Sequence, residues 1–161
     1  MSSISIIGTG NMASAMAERA LAGGNAVEII GRDPVKAKEL AAALGGATVG
    51  TAETAPAGDI VILAVPYAGA AAVVSEYGDT LRGKVVIDIT NPVSPDLTGF
   101  VTPEGSSGAQ EIAKAAPDGA HVVKAFNTLF ANVLADGRPV DVFIAGDDAP
   151  AKAHVSVFIE S

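Results

Sequence analysis

The chain alternates between short apolar runs and longer Ala-rich stretches of helical spacing, separated by glycine and proline. Ile4–Ile7 is an apolar-rich run, with Ser5 its one polar residue, that stops at Gly8. Asn11–Ala22 follows with helical character and ends at Gly23-Gly24, the usual stop chemistry. Ala26–Ile30 reads as a second strand. Asp33-Pro34 then opens a helix over Pro34–Leu44, with Asp33 as N-cap and Pro34 in the first turn. A short strand over Ala47–Val49 closes a βαβαβ half.

The second half repeats the rhythm. Ile60–Val65 is the most strongly β-type run and stops at Pro66, and Ala68–Tyr77 reads as a helix ended by Gly78. Lys84–Thr90 is a further strand, terminated by Asn91-Pro92. Ser94–Gly105 contains Pro95, Gly99, Pro103 and Gly105 and is expected to be a loop. A helix capped by Ser107 runs to Ala116, and His121–Phe126 is the next strand. The pattern then predicts a helix over Thr128–Ala135, a turn at Asp136-Gly137, a strand over Val140–Ala145 and a last helix over Ala149–Ile159.

Strict alternation of strands and helices implies an α/β domain with a doubly wound, mostly parallel sheet. One unit over residues 1–161 is expected. Because the pattern stops on a helix, where such a domain would continue into another strand, a C-terminally truncated sheet is also an expectation.

Composition narrows the function. The chain is 49% hydrophobic, with a mean hydropathy of +0.40, which suits strands buried on both faces. The apolar stretch Ile60–Val74 is broken by Pro66 and Gly69, so a strand and a helix are expected there rather than a membrane span. A net charge of −8 argues against nucleic acid and anionic membranes as partners. With no cysteine and two distant histidines, His121 and His154, thiol chemistry is excluded and no metal site is expected. No basic leader precedes the first strand, so a cytoplasmic location is the default.

The first strand end carries the main chemical signal. Gly8-Thr9-Gly10-Asn11-Met12-Ala13 follows a strand and opens a helix inside a βαβ unit, as a dinucleotide-binding turn does. Gly8 allows the turn, Gly10 leaves room for a pyrophosphate, and Ala13 lets the helix lie close to the strand. The backbone N–H groups at Thr9, Asn11 and Met12 face the anion. At the end of the second strand, where NAD-binding sites place a carboxylate, the chain has Gly31-Arg32. A guanidinium suits a 2′-phosphate, and Lys36 one turn later adds charge, so NADP(H) is the expected cofactor. The competing readings are a solvated Arg32, a surface Lys36, and Asp33 as ribose acceptor rather than cap.

Other strand ends face the same crevice. Val65 and Pro66 lie at one. Tyr67 either covers the cofactor or packs on its own helix. Asn91 and Pro92 end the next strand, Asn91 being either a ribose or carboxamide ligand or a turn former. Phe126, Asn127 and Thr128 lie at the end of the sixth, His121–Phe126, with Phe126 as a wall and Asn127 either beside the ring or capping a helix. Asp88, an acid within a buried strand, needs a partner, and Lys124 is the candidate. No triad, metal motif or paired carboxylates are present, so no catalytic side chain is assigned.

Taken together, Gly8-Thr9-Gly10-Asn11-Met12, Gly31-Arg32, Ala64-Val65-Pro66, Asp88-Ile89-Thr90-Asn91-Pro92 and Lys124-Ala125-Phe126-Asn127-Thr128 resemble the NADPH-dependent coenzyme F420 (deazaflavin) reductase family. Reductase domains of metal-reducing membrane proteins are similar. The resemblance implies a Rossmann domain whose Thr9, Asn11, Arg32 and Lys36 hold NADP. It also implies a hydride-transfer pocket of Pro66, Asn91, Pro92, Phe126 and Asn127, with coenzyme F420 as co-substrate. Family members continue with C-terminal parts that help build the deazaflavin pocket and a homodimer contact. The alternatives are a non-catalytic or truncated NADP-binding module, and a reductase of another acceptor such as a flavin, a metal or an imine.

Overall fold

The computed structural model describes residues Met1–Ser161. Its elements are β1 (Ser3–Ile7), α1 (Asn11–Ala22), β2 (Ala26–Ile30), α2 (Pro34–Leu44), β3 (Thr48–Gly50), β4 (Ile60–Leu63), α3 (Tyr67–Tyr77), a 3-10 turn (Gly78–Leu81), β5 (Val85–Asp88), α4 (Gly108–Ala115), β6 (His121–Lys124), α5 (Ala131–Ala135) and α6 (Ala149–Ile159). Six parallel strands lie in the order β3-β2-β1-β4-β5-β6. The order reverses between β1 and β4, which makes their carboxyl ends the switch point of the sheet.

Alternate strand residues feed two apolar layers. Ile4, Ile6, Val27, Ile29, Ile60, Ile62, Val85, Ile87 and Val123 pack beneath α1, α2, α5 and α6. Ile7, Ile30, Val61, Leu63 and Val86 pack on the opposite face against Ala70, Val74, Tyr77, Leu81 and Ile112. Burial on both faces is the physical reason for the continuous apolar runs. No helix is long and apolar enough to cross a membrane.

One part of the second face carries polar residues. The β3–β4 connector crosses it without a helix and lies directly on the sheet, where a Cβ on Gly58 would come within 2.7 Å of the Ile4 carbonyl carbon. The fully buried Ser5 donates from Oγ to Glu28 Oε2 at 2.5 Å. The connector's Ala57 N–H donates to the same Glu28 oxygen at 2.9 Å, and the Gly58 N–H donates to Ser5 Oγ at 2.9 Å. The two polar residues thus bind the backbone of a crossover that has no helical bonds of its own.

Two expected elements differ. Val140–Ala145 is not a strand: its backbone meets β6 only at Ala145, which forms an antiparallel bridge with Lys124. Val140, Val142 and Ile144 are drawn instead onto the core layer that contains Phe126 and Phe158. Their alternation therefore records partial burial of every second side chain, not a ladder. The helix expected from Thr128 begins only at Ala131. Phe126 has φ 61°, and the Leu129 N–H closes a turn onto the Phe126 carbonyl at 3.1 Å. A left-handed residue there turns the chain before helical bonding can begin.

Candidate functional site

The glycine turn sits at the switch point. Gly8 has φ 135°, and its N–H donates to the Ile30 carbonyl at 2.8 Å. A Cβ there would overlap the Ala64 carbonyl oxygen and lie 2.9 Å from the carbonyl carbon, so only glycine lets the turn close against the end of β4. Gly10 is different: nothing lies within 4 Å of where its Cβ would be, and the residue is exposed. It is the N-cap of α1, which has no side-chain cap and no acid in its first turn. The fully buried Ala13 seats the helix on the sheet. An open turn above an uncapped helix N-terminus fits an anionic pyrophosphate, since the first N–H groups of a helix lack intrahelical partners.

The end of β2 completes one side. A Cβ on Gly31 would come 2.7 Å from Thr9 Cγ2, so Gly31 admits the Thr9 methyl against the strand end. Arg32 and Lys36 are exposed and take part in none of the ion pairs. Asp33 is committed to its helix: Oδ1 accepts from the Val35 N–H at 2.9 Å and the Lys36 N–H at 3.4 Å. That geometry favours the cap over a ribose acceptor and leaves the two cations without a neighbouring paired acid.

On the other side, Pro66 is the N-cap of α3. Tyr67 packs across to α4, where a Cβ on Gly108 would lie 3.2 Å from both the Tyr67 ring and Pro92. Burial first, then the carboxylates of Glu111 and Asp88, raise the pKa of the Tyr67 phenol above its usual value.

The ends of β5 and β6 are joined twice. Asp88, with no exposed surface, accepts at Oδ1 from the Thr90 N–H (2.8 Å) and hydroxyl (2.7 Å) and at Oδ2 from Lys124 Nζ (2.9 Å). Lys124 Nζ also donates to the Thr90 carbonyl. Lys124 is therefore the partner that Asp88 required. Directly above, Asn91 Nδ2 donates to the Asn127 carbonyl at 2.8 Å, and Asn127 Nδ2 donates to Asn91 Oδ1 at 3.3 Å. Asn127 does not cap a helix, because α5 starts after Phe130.

Asn91, Pro92, Lys124 and Asn127 line one cavity of about 530 Å³, together with Phe100, Ser107 and Gln110. Phe126 is not among them. Its side chain is 7% exposed, packs on Phe158 with ring centroids 6.3 Å apart, and lines an apolar cavity of about 250 Å³ beside Met16 and Leu134. The positive φ of Phe126 accompanies this inward course. The part of the cavity wall from Phe100 to Gln110 lies in a region expected to be plain loop and helix start. The readable signal was Val93-Ser94-Pro95-Asp96-Leu97-Thr98-Gly99-Phe100, a turn-forming core flanked by two apolar residues.

Comparison with known proteins identifies the family. The family profile described as NADP oxidoreductase coenzyme F420-dependent matches residues 3–92, from β1 to the cavity rim at Pro92. The chain belongs to this family. It is 34% identical over 144 residues to the F420-dependent NADP reductase of Methanothermobacter marburgensis, covering 84% of this chain and 60% of that protein. It is 31% identical over 157 residues to the rat metalloreductase STEAP3, covering 95% of this chain and 30% of that protein. Among solved structures, a hypothetical protein from Sinorhizobium meliloti superposes with a TM-score of 0.86 at 31% identity, covering 99% of this chain and 80% of that one. The chain thus spans about three-fifths of the length of the reductase it matches.

Proposed function

We propose that this chain binds NADP(H) and passes hydride between it and a flat redox acceptor, the deazaflavin coenzyme F420 being the first candidate. The observation that carries the reading is the juxtaposition at the switch point. An open, uncapped glycine turn lies beside the end of the adjacent strand, where exposed, unpaired Arg32 is followed by exposed, unpaired Lys36 in the first turn of α2. The turn suits a pyrophosphate and the cations suit a 2′-phosphate. Family membership and the activity named for the Methanothermobacter relative support the choice of acceptor.

In this reading the backbone at Thr9, Asn11 and Met12 holds the pyrophosphate, and Arg32, assisted by Lys36, holds the 2′-phosphate. Val65 and Pro66 border the crevice over β4. Asn91, Pro92 and Asn127 surround the reacting ring, with their positions set by the Asn91–Asn127 pair and the Asp88–Lys124 pair below it. Phe126 keeps a supporting role from within the core. Bound there, the nicotinamide supplies the two-electron chemistry, and the chain supplies binding, orientation and electrostatics. The net exchange in the reducing direction is one hydride out of NADPH, and one hydride plus one proton from water into the acceptor.

The test compares NADPH and NADH binding to the unaltered chain and to Arg32→Ala. Removal of a charge-assisted phosphate contact, worth roughly 1.5–3 kcal/mol, is expected to weaken NADPH by about ten- to a hundredfold and leave NADH unchanged. Equal affinity of the unaltered chain for both nucleotides refutes the 2′-phosphate assignment. Mixing NADPH with the oxidised deazaflavin and following its absorbance tests turnover. Tight NADPH binding without an absorbance change makes the domain a nucleotide-binding module instead.

A further inference from the structure

Residues 93–100, between Pro92 and α4, are unused by the cofactor reading, yet they are tied into a defined turn. Val93 and Phe100 form an antiparallel bridge. The Ser94 N–H donates to the Gly99 carbonyl at 2.8 Å, and the Val101 N–H donates to the Pro92 carbonyl at 2.9 Å. The turn between them is tied by Asp96, whose Oδ1 accepts from the Ser94 hydroxyl at 2.6 Å and the Thr98 hydroxyl at 2.8 Å. These bonds, that of Ser94 foremost, hold the Asp96 carboxyl below the usual carboxylate range. Leu97 occupies the left-handed region at φ 59°. The result is a fixed hairpin, not a slack loop.

What the hairpin presents is apolar. Leu97 is 81% exposed and Phe100 is 77% exposed. Phe100 also forms part of the wall of the cavity of about 530 Å³ that contains Asn91, Pro92 and Asn127. That volume is in the range of small-molecule sites. The remaining wall mixes apolar surface from Pro92, Ala109 and Val122 with hydrogen-bonding groups of Ser107 and Gln110 at the start of α4. One aromatic face set among hydrogen-bonding groups suits a flat heteroaromatic ring with polar edges: stacking holds its plane and the polar groups fix its rotation. An imine or 2-oxo acid would need a proton donor instead. The cation in this cavity, Lys124, is committed to Asp88 and the Thr90 carbonyl.

We propose that Phe100 is the stacking platform for the electron acceptor, so that the hairpin over residues 93–100 selects flat aromatic acceptors over small aliphatic ones. This rests on the hydride-transfer reading and names the part of the site that meets the second substrate. Phe100 lies on the hairpin bridged to Val93, outside the glycine turn and the end of β2, so its removal is expected to act on the acceptor.

The experiment measures steady-state reduction of the oxidised deazaflavin by NADPH, with NADPH affinity measured in parallel. The proteins are the unaltered chain, Phe100→Ala, Phe100→Trp and Phe143→Ala; Phe143 is an equally exposed aromatic (72%) that lines neither cavity. Phe100→Ala is expected to raise the acceptor KM roughly tenfold, the scale of one lost aromatic stack, with NADPH affinity unchanged. Phe100→Trp and Phe143→Ala are expected to keep the original KM. If the unaltered chain turns over and Phe100→Ala has the same KM, the platform is refuted while hydride transfer stands. A KM rise in Phe143→Ala equal to that in Phe100→Ala also refutes it. If the unaltered chain binds NADPH but reduces no flat acceptor, the hydride-transfer reading fails and the platform with it.

Discussion

Lys124→Met is expected to be among the more damaging single changes at the ends of the strands. Asp88 is fully buried, and the Lys124 side chain is 18% exposed. Removing the ammonium strands a carboxylate that has no access to water. Breaking a buried pair from one side costs roughly 3–5 kcal/mol. Asp88 would keep two donors from Thr90, at 2.8 and 2.7 Å, which places the cost near the lower bound, about 3 kcal/mol. Adding Asp88→Asn removes the stranded charge while an amide oxygen can still accept from Thr90. The double variant should therefore recover about 1–2 kcal/mol relative to Lys124→Met alone. Urea unfolding followed by circular dichroism reads both numbers, because the chain has no tryptophan to report by fluorescence. With a slope of roughly 2 kcal/mol/M, the midpoint of Lys124→Met should fall by about 1.5 M. A midpoint within 0.3 M of the parent, or a double variant no more stable than Lys124→Met, would refute the claim that the pair is held together by mutual burial.

Two further outcomes follow from the same geometry. Gly8→Ala combines a positive φ with a Cβ that overlaps the Ala64 carbonyl; a loss of about 2–4 kcal/mol in thermal or urea unfolding is expected, whereas Gly10→Ala, with open space at its Cβ, should fold normally and lose nucleotide binding. The Tyr77 phenol has its pKa raised, chiefly by burial and then by Glu76, Glu28 and Glu53. The neutral form is the one the fold favours, so its contribution is complete below the unfolded pKa of about 10 and is lost as pH rises above it. Tyr77→Phe should flatten the alkaline limb of a stability–pH curve, and an unchanged limb would show that another group controls it.

Much of the site could be read from local pattern because its parts are backbone features of single strand ends. Gly8 and Gly10 report a turn between one strand and one helix. Asp33 before Pro34 reports a cap. Asp88 within an apolar run demands a partner wherever the chain folds. Each of these depends on a few neighbouring residues or on the cost of an unpaired buried group, and both are properties of the sequence itself.

Other features depend on which strand end faces which. Phe126 looked like a pocket wall because it adjoins Asn127, yet its left-handed backbone sends the ring into the core beside Phe158. Val140, Val142 and Ile144 alternate like a strand but pack half-buried on the core without a ladder. Ser5 and Glu28 became intelligible only when the β3–β4 connector was seen to lie across them.

What the sequence by itself determined is the alternation of elements, the two-faced sheet and the glycine turn off the first strand, because hydrophobic period and backbone permissiveness are local. Only the tertiary structure decided that Gly8 closes against Ala64, that Asn91 meets Asn127, and that Phe100 stands at the rim of the same cavity. Those contacts join residues tens of positions apart, and their geometry is set by sheet order and backbone direction, which no local pattern encodes.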